Sequence, residues 1–82
     1  MSHPENFHAG DTVRIQLRAF DRDADWLLVG RFLDCSYPRR GQGQMSLRFS
    51  IEIVNGVRLP YRQVHQWPIG DIRSVTKMEV VT

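Results

Sequence analysis

From Thr12 to Ala19 polar and apolar residues alternate one for one. Val13, Ile15, Leu17 and Ala19 share one side, and Arg14, Gln16 and Arg18 share the other. A period of two places successive side chains on opposite faces of a strand, and a helix does not sustain it. The segment therefore predicts a half-buried first strand. Asp21 to Asp25 is polar enough to be the loop that follows it. A second run, Trp26 to Cys35, begins apolar on both faces and is interrupted by Gly30. Glycine inside a strand marks a bulge or a bend. This run predicts a long, bent second strand. The stretch Ser36 to Gly43 is rich in turn formers and predicts a surface loop. The third strand is the clearest, with Met45, Leu47, Phe49, Ile51 and Ile53 alternating with Gln44, Ser46, Arg48, Ser50 and Glu52.

Asn55-Gly56 then announces a hairpin. A two-residue loop pairs Val54 with Val57, and continuous alternation from there sets Ile53 opposite Arg58 and Phe49 opposite Arg62. A three-residue loop, Val54 to Gly56 with Gly56 left-handed, pairs Ile53 with Val57, Ile51 with Leu59 and Phe49 with Tyr61. The second arrangement keeps the apolar residues on one side, so parity predicts the three-residue loop and puts the Phe49 and Tyr61 rings on one face. The fourth strand, Val57 to about Val64, holds Pro60, which cannot donate to a ladder and so marks an edge or a bulge. Gln66 to Asp71 is a break with room for a 3₁₀ turn, and a last strand runs from Ile72 to about Val81.

Five short strands with one bent in the middle predict an all-β fold, a small five-stranded antiparallel barrel. Residues 1–11 read as a flexible lead-in with only Phe7 to dock, and residues 12–82 as a single domain. The expected core is Val13, Ile15, Leu17, Leu28, Phe32, Leu47, Phe49, Ile51, Ile53, Leu59 and Ile72. Phe7-x-x-Gly10-Asp11-x-Val13-x-Ile15 resembles the first strand of SH3-like and KOW-type barrels. Asp71-Ile72-Arg73-Ser74-Val75 is similar to the last strand of Sm-like domains, including the Rof-type inhibitors of transcription termination, and Trp26-Leu27-Leu28 faintly resembles a segment of WYL regulatory domains. The resemblance implies an SH3-like or Sm-like barrel and transfers no functional residue.

Composition narrows the chemistry. The single cysteine, Cys35, forms no disulfide within the chain and builds no cysteine-based zinc site, which fits a reducing cytoplasm. The histidines, His3, His8 and His65, have no metal-ligand spacing. No apolar run approaches a membrane span, and the first dozen residues lack the core of a signal peptide. Gly41-x-Gly43 lacks the lysine and helix of a phosphate cradle. Asp21, Asp23 and Asp25 read as a solvated turn, without the glutamate and glycine of a calcium loop. Cys35 ends an apolar run and reads as a small buried hydrophobe. The expectation is a chain with no catalytic residues, no metal and no cofactor.

What remains is binding. Eleven basic and nine acidic residues give a net charge of +2, rising to +4 without Glu5 and Asp11, and ten of the bases are arginine. Arginine's planar fork suits oxyanions, although a GC-rich genome would also enrich it. In a meander Arg48, Arg58 and Arg62 share a surface, and the loop adds Tyr37, Arg39 and Arg40. Cations interspersed with aromatics predict a nucleic-acid surface, or one that docks on a nucleic-acid-processing machine. The alternative is a protein adaptor or inhibitor that uses the fourth-strand edge and the aromatic group Tyr61, Trp67 and Pro68. Sm-like barrels commonly oligomerise through such an edge, so a homo-oligomer belongs to the same reading.

Overall fold

The computed structural model describes residues 7–39 and 43–78. Five antiparallel strands run as β1 (Thr12–Leu17), β2 (Trp26–Ser36), β3 (Ser46–Val54), β4 (Val57–Pro68) and β5 (Ile72–Lys77). A 3₁₀ turn, Ile69–Asp71, joins the last two strands. The sheet order is β4-β3-β2-β1-β5, so β4 and β5 are its two edges. The expected barrel is therefore not closed, because among the described residues no ladder joins β4 to β5.

The sheet nonetheless curls around one core. Val13, Ile15, Phe49 and Val75 are fully buried although no second layer of described residues covers the sheet, so its own inner face must wrap over them. Pro68 ends one edge strand and Ile72 begins the other. Four residue steps span at most about 14 Å, which brings the edges together at that end. The turn is pinned there from both sides. Ile69 N–H donates to Met45 O at 2.8 Å, and Arg18 N–H donates to Asp71 O at 2.8 Å. The latter bond ends β1 at Leu17, so the expected extension to Ala19 does not form. The expected tail of the last strand beyond Met78 lies outside the described residues.

The hairpin corrects the parity argument. Asn55 and Gly56 both have positive φ, 49° and 83°, and Val54 pairs directly with Val57 across a two-residue turn. Asn55 also closes on β2: its Oδ1 accepts from Leu27 N–H at 2.9 Å, and its own N–H donates to Leu27 O at 2.7 Å. Parity is restored by irregularities that a uniform alternation hides. Ile53 pairs with Arg58 but Ile51 pairs with Gln63, so Leu59 to Arg62 stand opposite Glu52 alone. The proline sits inside this bulge, which spares the ladder its missing donor. Phe49 consequently pairs with His65, and Tyr61 is displaced into solvent at 69% exposure.

A second slip, between β2 and β3, moves Ile53 out of the core. Gly30 pairs with Ile51 and Val29 with Ile53, leaving Glu52 as the extra residue. Val54 then turns inward to pack on the core, and Ile53 pairs with outward Val29. The expected burial of Ile53 and Leu59 is thus only partial. Two residues absent from the expected core are in it: Phe7 and Val75.

Phe7 reaches the core because the turn after it is tied to the sheet. Gly10 N–H donates to Phe32 O at 2.8 Å, and the Phe7 and Phe32 rings lie 6.2 Å apart. Asp11 Oδ2 accepts from His8 N–H at 2.9 Å and faces Lys77 Nζ at 3.7 Å. The His8 hydrogen bond is the largest influence on the Asp11 carboxyl. Desolvation opposes it, Lys77 adds to it, and the net result holds the pKa below its ordinary value. A depressed carboxylate pKa stabilises the fold above the unfolded value, about 3.9 for aspartate, and that stability disappears as pH falls through the folded value. Asp11→Asn should therefore lower the thermal midpoint at neutral pH but leave it unchanged well below pH about 3.9. A midpoint difference that persists undiminished in acid would contradict this linkage.

Candidate functional site

The structure tests whether the arginines form one free basic surface. Antiparallel partners point to the same side, so Arg48 (opposite Asp34 and Gln66) and Arg58 (opposite Ile53) both lie on the outer face. Their positions along β3 differ by five residues, about 16 Å of strand. Arg48 is ion-paired with Asp34. Arg62 Nε lies 3.2 Å from Glu52 Oε1, and Arg31 Nε approaches the same oxygen at 3.8 Å. Arg73 is paired with Asp25. Arg48 and Arg58 thus share a face, but carboxylates already occupy two of the three strand arginines, Arg48 and Arg62. Exposed ion pairs of this kind contribute little stability, and they still cancel the field a phosphate would feel.

Tyr37 and Arg39 are exposed, the former at 72%. Arg40 lies outside the described residues. Among the described residues, Arg14, Arg18, Arg22, Arg39 and Arg58 make no ion pair with a carboxylate.

The aromatic group divides across the sheet. Trp67 faces inward, 6.1 Å from the Phe49 ring, while Pro68 is exposed next to it and Tyr61 stands away in the bulge. His65 stacks on Trp67 at 5.3 Å with the rings 12° apart, and its Nε2 is 3.2 Å from Gln63 Oε1. These side chains border an apolar cleft of about 330 Å³ between β4 and the far ends of β1 and β2. Leu17, Leu28 and Ile51 line its depth, Trp26 forms the facing wall, and the Arg22 guanidinium covers Trp26 at 4.6 Å. The cleft opens on the inner face of the curled sheet, near the end where Pro68 and Ile72 bring its edges together. Beside it β4 presents a free edge with Val57, Tyr61 and Val64 exposed.

A second concavity lies on the outer face, around Leu27, Val29 and Ile53. Sequence reasoning missed it, although its signal was present: Trp26 to Val29 is apolar on both faces, which a strand with one solvated face does not need. Among the described residues no group of three His, Cys, Asp or Glu side chains is placed to hold a metal ion, and no helix is long and apolar enough to cross a membrane. Comparison with protein-family models, characterised proteins and solved structures finds no match to this chain.

Proposed function

We propose that the chain is a small, non-enzymatic regulatory module that binds a protein partner, taking an extended segment onto the free edge of β4. The carrying observation is the coincidence of that edge with the Trp26–Trp67 cleft. A strand added beside β4 would complete its unpaired N–H and C=O groups, which is the usual source of affinity in strand addition. Its inward side chains would alternate past Gln63, His65 and Trp67, and so enter the apolar cleft. Pro60 and its bulge confine the usable edge to about Gln63–Pro68. The motif resemblance to SH3-like and Sm-like barrels, small folds that serve as binding scaffolds, supports the reading, and the cytoplasm is the location proposed with it.

The test is selection from a library of extended peptides followed by amide hydrogen exchange on the complex. Slowed exchange is expected at amides within Gln63–Pro68, and selected peptides should carry a bulky apolar residue at alternate positions. Protection elsewhere, or selection without that alternation, would remove the edge from the proposal.

Nucleic acid is the second reading, favoured by exposed Tyr37 beside Arg39 and by Arg58, which has no carboxylate partner among the described residues. A titration of fluorescent single- and double-stranded oligonucleotides at about 50 mM salt separates the two. Binding through Tyr37, Arg39, Arg40, Arg48, Arg58 and Arg62 should weaken steeply as salt rises. No association at tens of micromolar protein would leave the protein partner alone.

A further inference from the structure

The outer trough, about 580 Å³ in volume, is built unlike the cleft. Its floor is aliphatic: Leu27, Val29 and Ile53, with Leu27 53% exposed. Arg14, Ser74 and Thr76 line one side. The pairings place Thr76, Arg14, Val29, Ile53 and Arg58 in a single row across β5, β1, β2, β3 and β4, all on the same face. The row therefore begins and ends with cationic or polar side chains and is apolar between them.

Neither Arg14 nor Arg58 has a carboxylate partner among the described residues. The acids nearest the trough are already engaged: Asp25 by Arg73 and by Gln16 Nε2 at 2.9 Å, and Glu52 by Arg31 and Arg62. Among the described residues no carboxylate lines the trough itself. Such a surface is complementary to an anion with an apolar centre. An aliphatic floor without an aromatic ring offers nothing for a nucleobase to stack on, which disfavours single-stranded nucleic acid here.

Spacing specifies the ligand further. Counted along the sheet, Arg14 and Arg58 are three strand intervals apart, about 14 Å, and Arg58 stands at the end of the row, just past the trough's lining at Ile53 and Gly56. In an extended chain, residues four apart are separated by about 13 Å and point the same way, as does the residue midway between them. We propose that this trough binds an acidic segment of a protein partner, in the pattern acid–x–aliphatic–x–acid, laid across the strands. The two carboxylates meet Arg14 and Arg58, and the central aliphatic side chain rests on Val29 and Ile53. This site is separate from the β4 edge and goes beyond the function proposed above.

The experiment titrates the full chain with a labelled peptide, Ser-Glu-Ser-Leu-Ser-Glu-Ser, followed by anisotropy and by amide chemical shifts. Saturation is expected at on the order of 1 mM peptide, as a short, flexible ligand warrants. Shifts should concentrate at Arg14, Val29, Ile53 and Thr76. Arg14→Gln and Arg58→Gln should each weaken binding about fivefold, the range of an exposed charge pair. Replacing the peptide's leucine by serine should weaken it about tenfold, as for partial burial of one leucine. Both arginines are exposed, so the variants should keep the parent's thermal midpoint, which circular dichroism checks.

Unchanged affinity in both arginine variants overturns the proposal. Equal binding of the serine peptide does so too, because charge alone would then explain the contact. Shifts confined to Gln63–Pro68 would also overturn it while leaving the edge reading intact. Displacement by oligothymidylate at matched charge, with the same shift pattern, would reassign the trough to phosphate.

Discussion

Gly30→Val should cost about 3 kcal/mol or more and leave little folded protein, since small domains carry only about 5 kcal/mol in all. Gly30 lies on the inner face between Leu28 and Phe32, opposite Val13 on one side and Ile51 on the other. A Cβ there would stand 2.3 Å from Ser50 O, 2.9 Å from Ile51 Cα and 3.0 Å from Ser50 C. All three atoms are backbone, so no side chain can swing aside. The β2–β3 ladder itself would have to part. Valine's strand preference, worth about 1 kcal/mol at most, is too small to offset this. Urea denaturation measures the loss, and Gly30→Ala separates the causes. The clash belongs to Cβ, which both residues carry, so alanine should be nearly as damaging. An alanine variant within about 0.5 kcal/mol of the parent, the usual range of a harmless surface change, would sink the explanation.

The other large effect belongs to Phe49→Ala, expected to cost about 3–5 kcal/mol. Phe49 is fully buried and is the middle ring in a chain of five that ends on His65. Phe32 is 5.8 Å from it, nearly edge-on at 62°, and Trp67 is 6.1 Å away on β4. Phe7 extends the chain on the far side of Phe32. Truncation leaves a cavity between rings carried on β2 and β4, so neither strand alone can shift to fill it. The tilted and edge-on contacts add about 0.5–1.5 kcal/mol each beyond buried area. A chemical denaturation curve supplies the number, and the near-ultraviolet dichroism of Trp67 should weaken with it. Phe20→Ala is the internal contrast: Phe20 is 75% exposed and outside the core, and its loss should be nearly silent. Equal effects at Phe20 and Phe49 would refute this account of the core.

Alternation made β1 and β3 legible residue by residue, because each buries one face and solvates the other. Gly30 signalled its irregularity, and Pro60 the bulge at the sheet edge. Illegible were the sizes of those irregularities. A single extra residue reverses every side chain beyond it, so the Glu52 slip alone carried Ile53 outward and Val54 inward. The Asn55-Gly56 turn followed its local preference for two positive φ angles, and the Pro60 bulge absorbed the mismatch farther along. Local turn chemistry prevailed over global parity. Closure was illegible for a related reason, since strand count does not reveal whether two edges meet in a ladder. The site suffered most: outward arginines can be placed by parity, but ion pairs to Asp34 and Glu52 depend on neighbours that only pairing brings together.

Of the four ladders, β1–β2, β2–β3 and β3–β4 join strands adjacent in sequence, whereas β1–β5 joins Val13 to Lys77. Three hairpins can therefore zip in succession from short loops. The fourth ladder must close a loop of nearly the whole domain, and its entropy is lost before Ile72 and Val75 contribute burial. β5 is then the last strand to arrive in folding and the first to leave. Until it docks, Val13 and Ile15 lie along an open strand edge. Slow assembly and transient stickiness should thus concentrate in one six-residue strand, and the lifetime of the native protein should follow how long that strand stays in place.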